Sequence, residues 1–554
     1  MSSLAIVIIA LISFLVAYVT YGAWVAKKMG IDPLRKTPAH SMGDGVDYVP
    51  AKAPVLLGHH FASIAGASPI IGPITAAVFG WIPAFLWIVL GGIFFGAVHD
   101  FTSLFASVRH KGKSIGQIIN ENVGATGKKL FNIFAWLTLV LIIAVFAIIT
   151  ANTFVAVPSA GTASLLFILV AVIYGFAVYR SNVPALPASL IGIALLFVSI
   201  WVGLNYPIAL SFSTWIYILL IYIVIGSIAP VWVLLQPRDY LNSYLLYSLL
   251  AGAVIGLFLS NPTIQLVGYA GFKTDLGYLF PVLFVTIACG AISGFHSLVS
   301  SGTTSKQLNS EKDAKLIGFG GMLIESTLAV IALITAAMLI PADYKSLMTE
   351  GGGPVALFSA GVGQFLTKLG IALEVGKSFT ALVVSAFALT TLDTATRLGR
   401  FIFQELFEKE VSENQSAQVK QSIFANRYVA TLVTVVFAGL LALSGQWKAI
   451  WPIFGSANQL LAAIALLAVS VWLAKLGKNN AFTKYPMVFM FLVTLSALGF
   501  LIYSNLLKGN MVLVFVGAAL FILAVVLVIQ SFKALTNPIN PESTKGDSTY
   551  GKTV

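Results

Sequence analysis

Seven ionisable side chains lie in stretches that are otherwise apolar enough to be buried in a membrane: His59, His60, His99, Asp100, His296, Glu325 and Asp393. A charged side chain within lipid is costly, so such residues are functional candidates by default. Histidine and carboxylate side chains can together take up and release a proton near neutral pH. The seven residues therefore predict a site that couples movement of a solute to movement of a proton.

Two adjacent hydroxyl side chains, Thr390 and Thr391, precede Asp393 and interrupt the same apolar stretch. Hydroxyls beside exposed backbone carbonyls can hold a dehydrated sodium ion in transporters. Sodium is therefore an alternative coupling ion to the proton.

Structural roles remain open for each of these groups. His99 and Asp100 could form a hydrogen-bonded pair, Asp393 could pair with the nearby Arg397, and the other histidines could donate to carbonyls at helix ends. The sequence places all seven ionisable groups in the same half of the membrane, so they could converge on one polar region.

The nine residues from Ala65 to Pro73 contain two glycines and two prolines at membrane depth. Each proline removes a helix hydrogen bond that lipid cannot replace, so a broken helix is predicted here, with a proline-kinked helix as the alternative. Free amides from Ala67 to Ile71, at the positive end of the following half-helix, would bind a carboxylate. The predicted substrate-binding residues are Ser63, Gly66, Ala67, Ser68, Ile70, Ile71 and His296.

The composition indicates a membrane protein. Of 554 residues, 58% are hydrophobic and 9% are charged, against roughly 25% charged residues in soluble domains. The single cysteine, Cys289, argues against a disulfide framework, iron–sulfur clusters and structural zinc, and no cofactor or metal is predicted. The net charge of +12 is attributed to loops that face anionic lipid headgroups, and nucleic acid is not an expected partner.

An all-α polytopic fold follows, because about 20 apolar residues in helical form cross a bilayer. Hydropathy predicts fifteen spans within a single transmembrane domain (1–532), at 4–26, 54–78, 80–106, 130–156, 163–180, 184–204, 213–235, 240–260, 278–301, 316–340, 377–400, 428–444, 449–473, 485–505 and 511–532. With the N-terminus outside, 26 of the 32 lysines and arginines fall in cytoplasmic loops, as the positive-inside rule requires. The C-terminal segment 533–554 is predicted to be a disordered cytoplasmic tail.

A short internal echo relates Gly58-His59-His60, with a glycine six residues later, to Gly294-Phe295-His296 with the same spacing. Seven spans separate the two copies, and an odd number reverses the direction of the second copy. This pattern is typical of inverted-repeat transporters, and it predicts repeats at about 1–238 and 240–508. A second break is expected within Ser300–Ser305, although this segment could simply be the cytoplasmic end of its span.

Several motifs closely resemble the carbon starvation protein A (CstA) family: YVP (48–50), LGHHFASIAGA (57–67), IGP (71–73), FGW (79–81), GAVHDF (96–101), SVR and KGKS within 107–114, and more thinly GFHS (294–297) and TTLDTATR (390–397). The resemblance implies a transporter induced on carbon limitation that imports pyruvate or short peptides by proton symport.

The same resemblance implies the LeuT-like inverted repeat of the amino acid–polyamine–organocation superfamily. Its two discontinuous helices would be 54–78 and 278–301, and Thr390 and Thr391 on 377–400 would support a cation. The loop 341–376, with its apolar stretch from Pro354 to Leu366, would form an external lid. Many family members are longer at the C-terminus, which leaves subgroup and substrate open.

Together these features predict a multi-pass protein of the cell (inner) membrane that imports a small carboxylate-bearing nutrient, and no enzymatic activity is expected. The expected partners are the solute and the lipid bilayer. A passive channel, a nutrient sensor and a membrane haem protein are the alternatives. Pyruvate versus peptide, proton versus sodium, stoichiometry and oligomeric state are left open.

Overall fold

A computed structural model describes the protein at residues 2–45, 47–181, 183–230, 233–349, 352–407 and 422–536. The predicted disordered tail, 533–554, lies outside the described residues from position 537 onward.

The N-terminal half forms helices α1 (Ser3–Val19), α2 (Tyr21–Met29), α3 (Pro38–Ser41), α4 (Ala53–Ile64), α5 (Ser68–Ala76), α6 (Trp81–Leu86), α7 (Ala97–Arg109), α8 (Ile115–Val123), α9 (Ala125–Ala156), α10 (Pro158–Gly175), α11 (Ala185–Asn205), α12 (Phe212–Ile228) and α13 (Leu235–Ser260). A small antiparallel hairpin, β1 (Lys273–Thr274) and β2 (Gly277–Tyr278), follows.

The C-terminal half forms α14 (Leu279–Ile287), α15 (Gly294–Val299), α16 (Ser305–Gln307), α17 (Gly321–Ala337), α18 (Pro341–Thr349), α19 (Pro354–Thr367), α20 (Leu373–Phe407), α21 (Arg427–Ala442), α22 (Trp447–Lys475), α23 (Ala481–Leu507) and α24 (Met511–Thr536). Wider π-helical segments occupy Trp87–Gly96, Phe176–Arg180, Ser300–Thr304 and Lys315–Gly320, and tighter 3₁₀ turns occupy Ala77–Phe79, Ala288–Gly290 and Ile423–Ala425.

Each of the fifteen predicted spans corresponds to helical structure. Among the described residues, 12 helices are long and apolar enough to cross a membrane, and the bent pair of α4 and α5 makes a thirteenth span. The predicted spans 213–235 and 428–444 correspond to the shorter apolar helices α12 and α21. The protein is therefore a multi-pass membrane protein. The apolar stretch of the predicted external lid forms α19, and α18 precedes it.

Burial differs strongly between the spans. The spans that contain α9, α17, α20 and α22 are mostly buried inside the protein, whereas the first span and the last expose most of their surface. Exposed apolar side chains on the outer spans are stable in lipid, whereas Glu325, Asp393 and Asn458, described below, lie on the buried spans.

The first predicted break is confirmed. Helix α4 ends at Ile64, α5 begins at Ser68, and the two segments are bent by 49°. Proline is accommodated at the second position of α5, where a helix has no use for the missing amide hydrogen.

The second predicted break is wrong in position. Residues Ser300–Thr304 are helical, and the interruption lies earlier, between the end of α14 at Ile287 and the start of α15 at Gly294. Ala288 adopts φ 45°, a left-handed conformation that stops the helix. In the first copy the break follows the histidine motif, whereas in the second copy the break precedes it. Aligning the two histidine motifs therefore does not align the two breaks. The repeat boundaries stay a prediction.

Candidate functional site

A small cavity lies where the two broken spans meet. Its volume is about 10 Å³, and it is lined by Ile64, Ser68, Ile142, Phe146, Cys289, Phe295, Thr391, Phe454 and Asn458. These residues come from both sides of the first break, from the second break and the start of α15, and from α9, α20 and α22. Such a space holds about one water molecule, so a larger solute fits only after the helices separate. We call it the central cavity.

The hydroxyls of Ser68 and Thr391 face the central cavity: Thr391 Oγ1 has no hydrogen-bond partner among the described residues, and Ser68 Oγ has only the weakly bonding Cys289 thiol beside it. Both side chains are at least 98% buried. Gly66 permits the close approach of α20, because a Cβ atom at this position would lie 2.5 Å from Thr391 Oγ1. Thr390 instead donates to the Ala386 carbonyl of its own helix at 3.1 Å. A buried hydroxyl without a strong hydrogen-bond partner is costly, so the hydroxyls of Ser68 and Thr391 are suited to a polar ligand.

The predicted row of free amides is shorter than expected. The amides of Ile70 and Ile71 both donate to the Ala67 carbonyl, at 3.1 and 3.0 Å. These two hydrogen bonds close the first turn of α5, so the amides of Ile70 and Ile71 are not available to the predicted carboxylate site. The Ile71 side chain lines a separate small pocket. The amides of Ala67 and Ser68 have no hydrogen-bond partner in the described part of the chain, and they remain at the positive end of α5.

The second break is organised by Asn458, a residue that the sequence analysis missed. Its Oδ1 accepts from the Phe295 amide at 2.9 Å, and its Nδ2 donates to Ser293 Oγ at 3.0 Å and to Cys289 Sγ at 3.3 Å. One side chain of α22 thus joins the interrupted segment to the first turn of α15. The only sequence signal was the polar pair Asn458-Gln459 inside an apolar span.

Four of the seven predicted ionisable residues form a buried histidine–carboxylate chain of His99, Asp100, His296 and Glu325. The distances are 2.7 Å from His99 Nδ1 to Asp100 Oδ1, 2.7 Å from His296 Nδ1 to Asp100 Oδ2, and 3.3 Å from His296 Nε2 to Glu325 Oε2. All four side chains are fully buried. The alternative of an isolated His99–Asp100 pair is therefore incomplete, because the pair continues into α15 and α17.

His296 was predicted to bind substrate, and the structure places it in the centre of this chain. The Cys289 thiol, which lines the central cavity, lies beside the His296 ring. The chain therefore reaches the edge of the cavity through Cys289. His60 is nearby: its Nδ1 is 2.9 Å from Thr304 Oγ1, and its Nε2 has no hydrogen-bond partner in the described structure.

A second charged group is separate from the first and consists of Arg238, Asp239, Asp393, Tyr222 and His59. The Arg238 guanidinium donates to Asp393, to Tyr222 and, at 2.9 Å, to Asp239, and Tyr222 donates to Asp393 at 2.6 Å. His59 Nδ1 lies 4.0 Å from Asp239 Oδ2. The seven ionisable residues thus occupy two regions instead of one.

Two expectations about arginines are corrected here. The predicted spans 213–235 and 240–260 place Arg238 in the cytoplasmic loop between them, but α13 begins at Leu235 and buries it. Arg397 does not pair with Asp393; it donates to the carbonyls of Gly226 and Ala229 at 2.8 and 2.7 Å, at the end of α12. Helix-end carbonyls have no partners of their own, which makes them favourable acceptors for arginine.

Ser63 lies in the last turn of α4, next to the first break, and donates to the His59 carbonyl at 2.9 Å, so its hydroxyl is already satisfied. Of the predicted substrate-binding residues, only Ser68 places a side-chain polar atom on the central cavity.

Comparison with known proteins identifies relatives along most of the chain. The family model described as "Carbon starvation protein CstA" matches residues 2–352 and 345–497. The chain is 33% identical to "Pyruvate/proton symporter BtsT" of Escherichia coli over 91% of this chain and 82% of that protein. It is 30% identical to "Peptide transporter CstA" of Bacillus subtilis over 91% of each chain, and 33% identical to "Peptide transporter CstA" of Campylobacter jejuni over 89% and 79%.

Two solved transporters show a distant likeness. A manganese transporter of Eremococcus coleocola aligns with 89% of this chain and 99% of its own, at 14% identity and a TM-score of 0.48. MhsT in complex with L-phenylalanine aligns with 87% and 99%, at 15% identity and a TM-score of 0.48.

Proposed function

Because the chain belongs to the carbon starvation protein CstA family, we propose that it is a secondary active transporter that imports a small carboxylate-bearing nutrient by proton symport. The nutrient is pyruvate or a short peptide, the two substrates in the names of its relatives. The lysine and arginine distribution supports an N-terminus outside and a C-terminus in the cytoplasm of the cell (inner) membrane.

The observation that carries the proposal is the meeting of two interrupted spans at one small cavity beside a buried histidine–carboxylate chain. Interrupted helices are tolerated at membrane depth only where protein or water satisfies their free groups. A solute enters when the half-helices move apart, and closure then returns the cavity to its small volume. Alternating exposure of one site in this way is the general principle of secondary transport.

The substrate carboxylate is expected at the start of α5. The amides of Ala67 and Ser68 and the hydroxyl of Ser68 supply donors there, and the helix end adds a positive potential. Thr391 supplies a further hydroxyl from α20. Its partner is therefore either the substrate or a coupling cation.

Coupling follows from the cost of buried charge. A carboxylate that enters the central cavity brings one negative charge into a region that already holds Asp100 and Glu325. One proton taken up by the histidine–carboxylate chain compensates that charge, so that the loaded and the empty protein cross the barrier with similar net charge. Cys289 and His296 connect the chain with the cavity.

The test is uptake of labelled pyruvate and of a labelled dipeptide into proteoliposomes, with proton and sodium gradients imposed separately. We expect accumulation above the external concentration that requires an inward proton gradient and collapses with a protonophore. Uptake that ignores the proton gradient but follows sodium would refute proton symport. Equilibration without accumulation would identify a channel.

The single cysteine provides an independent reading of the cavity. Cys289 is buried, so a small thiol reagent should label it only when the half-helices separate. We expect the transported solute to slow this labelling, and a solute that is not transported to leave it unchanged. The Cys289→Ser variant has no thiol and therefore measures the background labelling by the reagent. Labelling that is indifferent to the solute would contradict binding in the central cavity.

A further inference from the structure

A much larger cavity, of about 470 Å³, lies on the side of the protein proposed to face outward. It is bounded by the end of α5, the segment 266–276, α14, α18 and the first turn of α22. Its main wall residues are Leu276, Tyr344, Met348, Trp447 and Trp451. We call this space the outer vestibule. Its volume falls within the range of about 300–1,000 Å³ that is typical of small-molecule sites.

The polar groups of the outer vestibule that bear on a ligand are charged side chains at its rim and one buried hydroxyl in its lining. Lys345, Lys448 and Asp275 are exposed lining residues, so the rim carries two positive charges and one negative charge. The side chain of Thr286 is buried in the lining, and its hydroxyl has no hydrogen-bond partner among the residues that the structure describes. An unsatisfied buried hydroxyl inside an apolar cavity is suited to a ligand with a polar group.

One part of the wall matches a carboxylate joined to an apolar side chain. The Lys448 ammonium lies 6.0 Å from the centre of the Trp447 ring, and Trp447 and Trp451 are edge to face with their ring centres 6.5 Å apart. A ligand carboxylate can pair with Lys448 while its side chain packs on the indoles. Asp275 offers a partner for an ammonium group on the same ligand.

The outer vestibule contacts both half-helices that must move. Thr286 is two residues before the second break, and the Trp451 indole donates to its carbonyl at 3.2 Å. The Tyr344 hydroxyl of α18 donates to the Ile74 carbonyl of α5 at 2.8 Å. Close by in sequence, Gly72 of α5 packs directly on the backbone of α14, where a Cβ atom would overlap the Ile287 carbonyl. A ligand in the vestibule therefore lies on the outer closure of the transport path.

We propose that the outer vestibule is a binding site for a short peptide with an apolar or aromatic side chain, occupied before the peptide enters the central cavity. The proposal rests on the proposed transport function and gives it a preference for peptides. An aromatic side chain buries about 150–250 Å² of surface. Pyruvate has only one methyl group to place against the same wall, so it gains little from the site.

The test compares a phenylalanine-containing dipeptide with pyruvate in the same proteoliposomes, using Trp447→Ala. We expect a KM for the dipeptide raised about tenfold, which corresponds to loss of one aromatic contact of about 1.4 kcal/mol, and a KM for pyruvate within about twofold of wild type. Lys448→Gln, a milder change, should raise the dipeptide KM in the same direction. Trp201→Ala, at an exposed position on α11, is the matched control and should change neither value.

Equal effects of Trp447→Ala on both solutes, or no effect on either, would overturn the vestibule site while leaving transport intact. Pyruvate uptake without any binding of the dipeptide would also overturn it. If the wild type accumulates neither solute, the proposed function fails. The vestibule is then judged by equilibrium dialysis of the labelled dipeptide with purified protein. Binding that Trp447→Ala weakens about tenfold would sustain the site, and binding that it leaves unchanged would refute it.

Discussion

Replacing Asn458 with alanine or leucine would test whether one side chain of α22 holds the second broken span in its working geometry. The asparagine joins Cys289 and Ser293, before α15, to the Phe295 amide within it. Leaving a buried amide without an acceptor costs about 1–3 kcal/mol. If the whole of this free energy is added to the barrier for transport, kcat/KM for uptake falls about 5- to 150-fold.

The two substitutions should differ in a definite order. Alanine leaves space next to the central cavity, so a water molecule can satisfy the Phe295 amide and the loss should fall at the lower end of the range. Leucine fills a similar volume without a polar atom, so the amide stays unsatisfied and the loss should fall at the upper end. Both variants are expected to insert and purify, because the other contacts of α22, including the hydrogen bonds from Trp451 and Gln459 to α14, are unchanged.

Initial rates of uptake into proteoliposomes measure this effect, with protein content and monodispersity checked for each variant. Asn505→Ala is the matched control, since Asn505 is a buried membrane asparagine whose Nδ2 donates to the Leu501 carbonyl of its own helix at 2.8 Å. It should retain nearly full activity. An Asn458→Leu protein with the wild-type kcat/KM would refute the role of Asn458.

Three further predictions concern the buried groups. Arg238→Gln leaves Asp393 buried without its counter-charge, so the free energy of unfolding should fall by about 3–5 kcal/mol and the melting temperature in detergent should drop; adding Asp393→Asn should recover part of the loss, and a double variant no more stable than the single one would contradict the pairing. Gly66→Ala places a Cβ atom 2.5 Å from Thr391 Oγ1, so overpacking should lower the free energy of unfolding by about 1–3 kcal/mol and the melting temperature in detergent with it, and Thr391→Ala in the same chain should restore part of that stability; a Gly66→Ala protein as stable as the wild type would argue against the close approach. Glu325→Gln keeps the shape of the side chain but removes one proton site, so accumulation driven by a proton gradient should be lost while exchange of labelled for unlabelled solute persists; accumulation at the wild-type level would exclude Glu325 from coupling.

The positions of the membrane helices could be predicted because hydropathy is a property of local sequence. The first break was equally visible, since Pro69 and Pro73 each remove a helix hydrogen bond within one short apolar stretch. The second break was misplaced because Ala288 to Ser293 contains no proline and only one glycine. What stabilises it is the Asn458 side chain, which is 163 residues from the amide that it satisfies.

The candidate site shows the same difference between features that local sequence reveals and features that depend on distant residues. Buried ionisable residues could be recognised one by one, because a charge in an apolar stretch is conspicuous whatever its partner. Their pairing could not be recognised: Asp100 and His296 are 196 residues apart, and Arg238 and Asp393 are 155 residues apart. Arg238 was assigned to a loop because a single arginine near a predicted span end is indistinguishable from an ordinary cytoplasmic anchor.

The sequence by itself determined that the chain lies in a membrane, where its helices run, that one span is broken at Ala65 to Pro73, and which family it resembles. Only the tertiary structure decided that the buried ionisable residues divide into two groups, that Asn458 supports the second break, and that an aromatic vestibule lies outside the central cavity. The reason is that helix formation and insertion depend on neighbouring residues and lipid, whereas a polar site is made by side chains that packing brings together from distant helices.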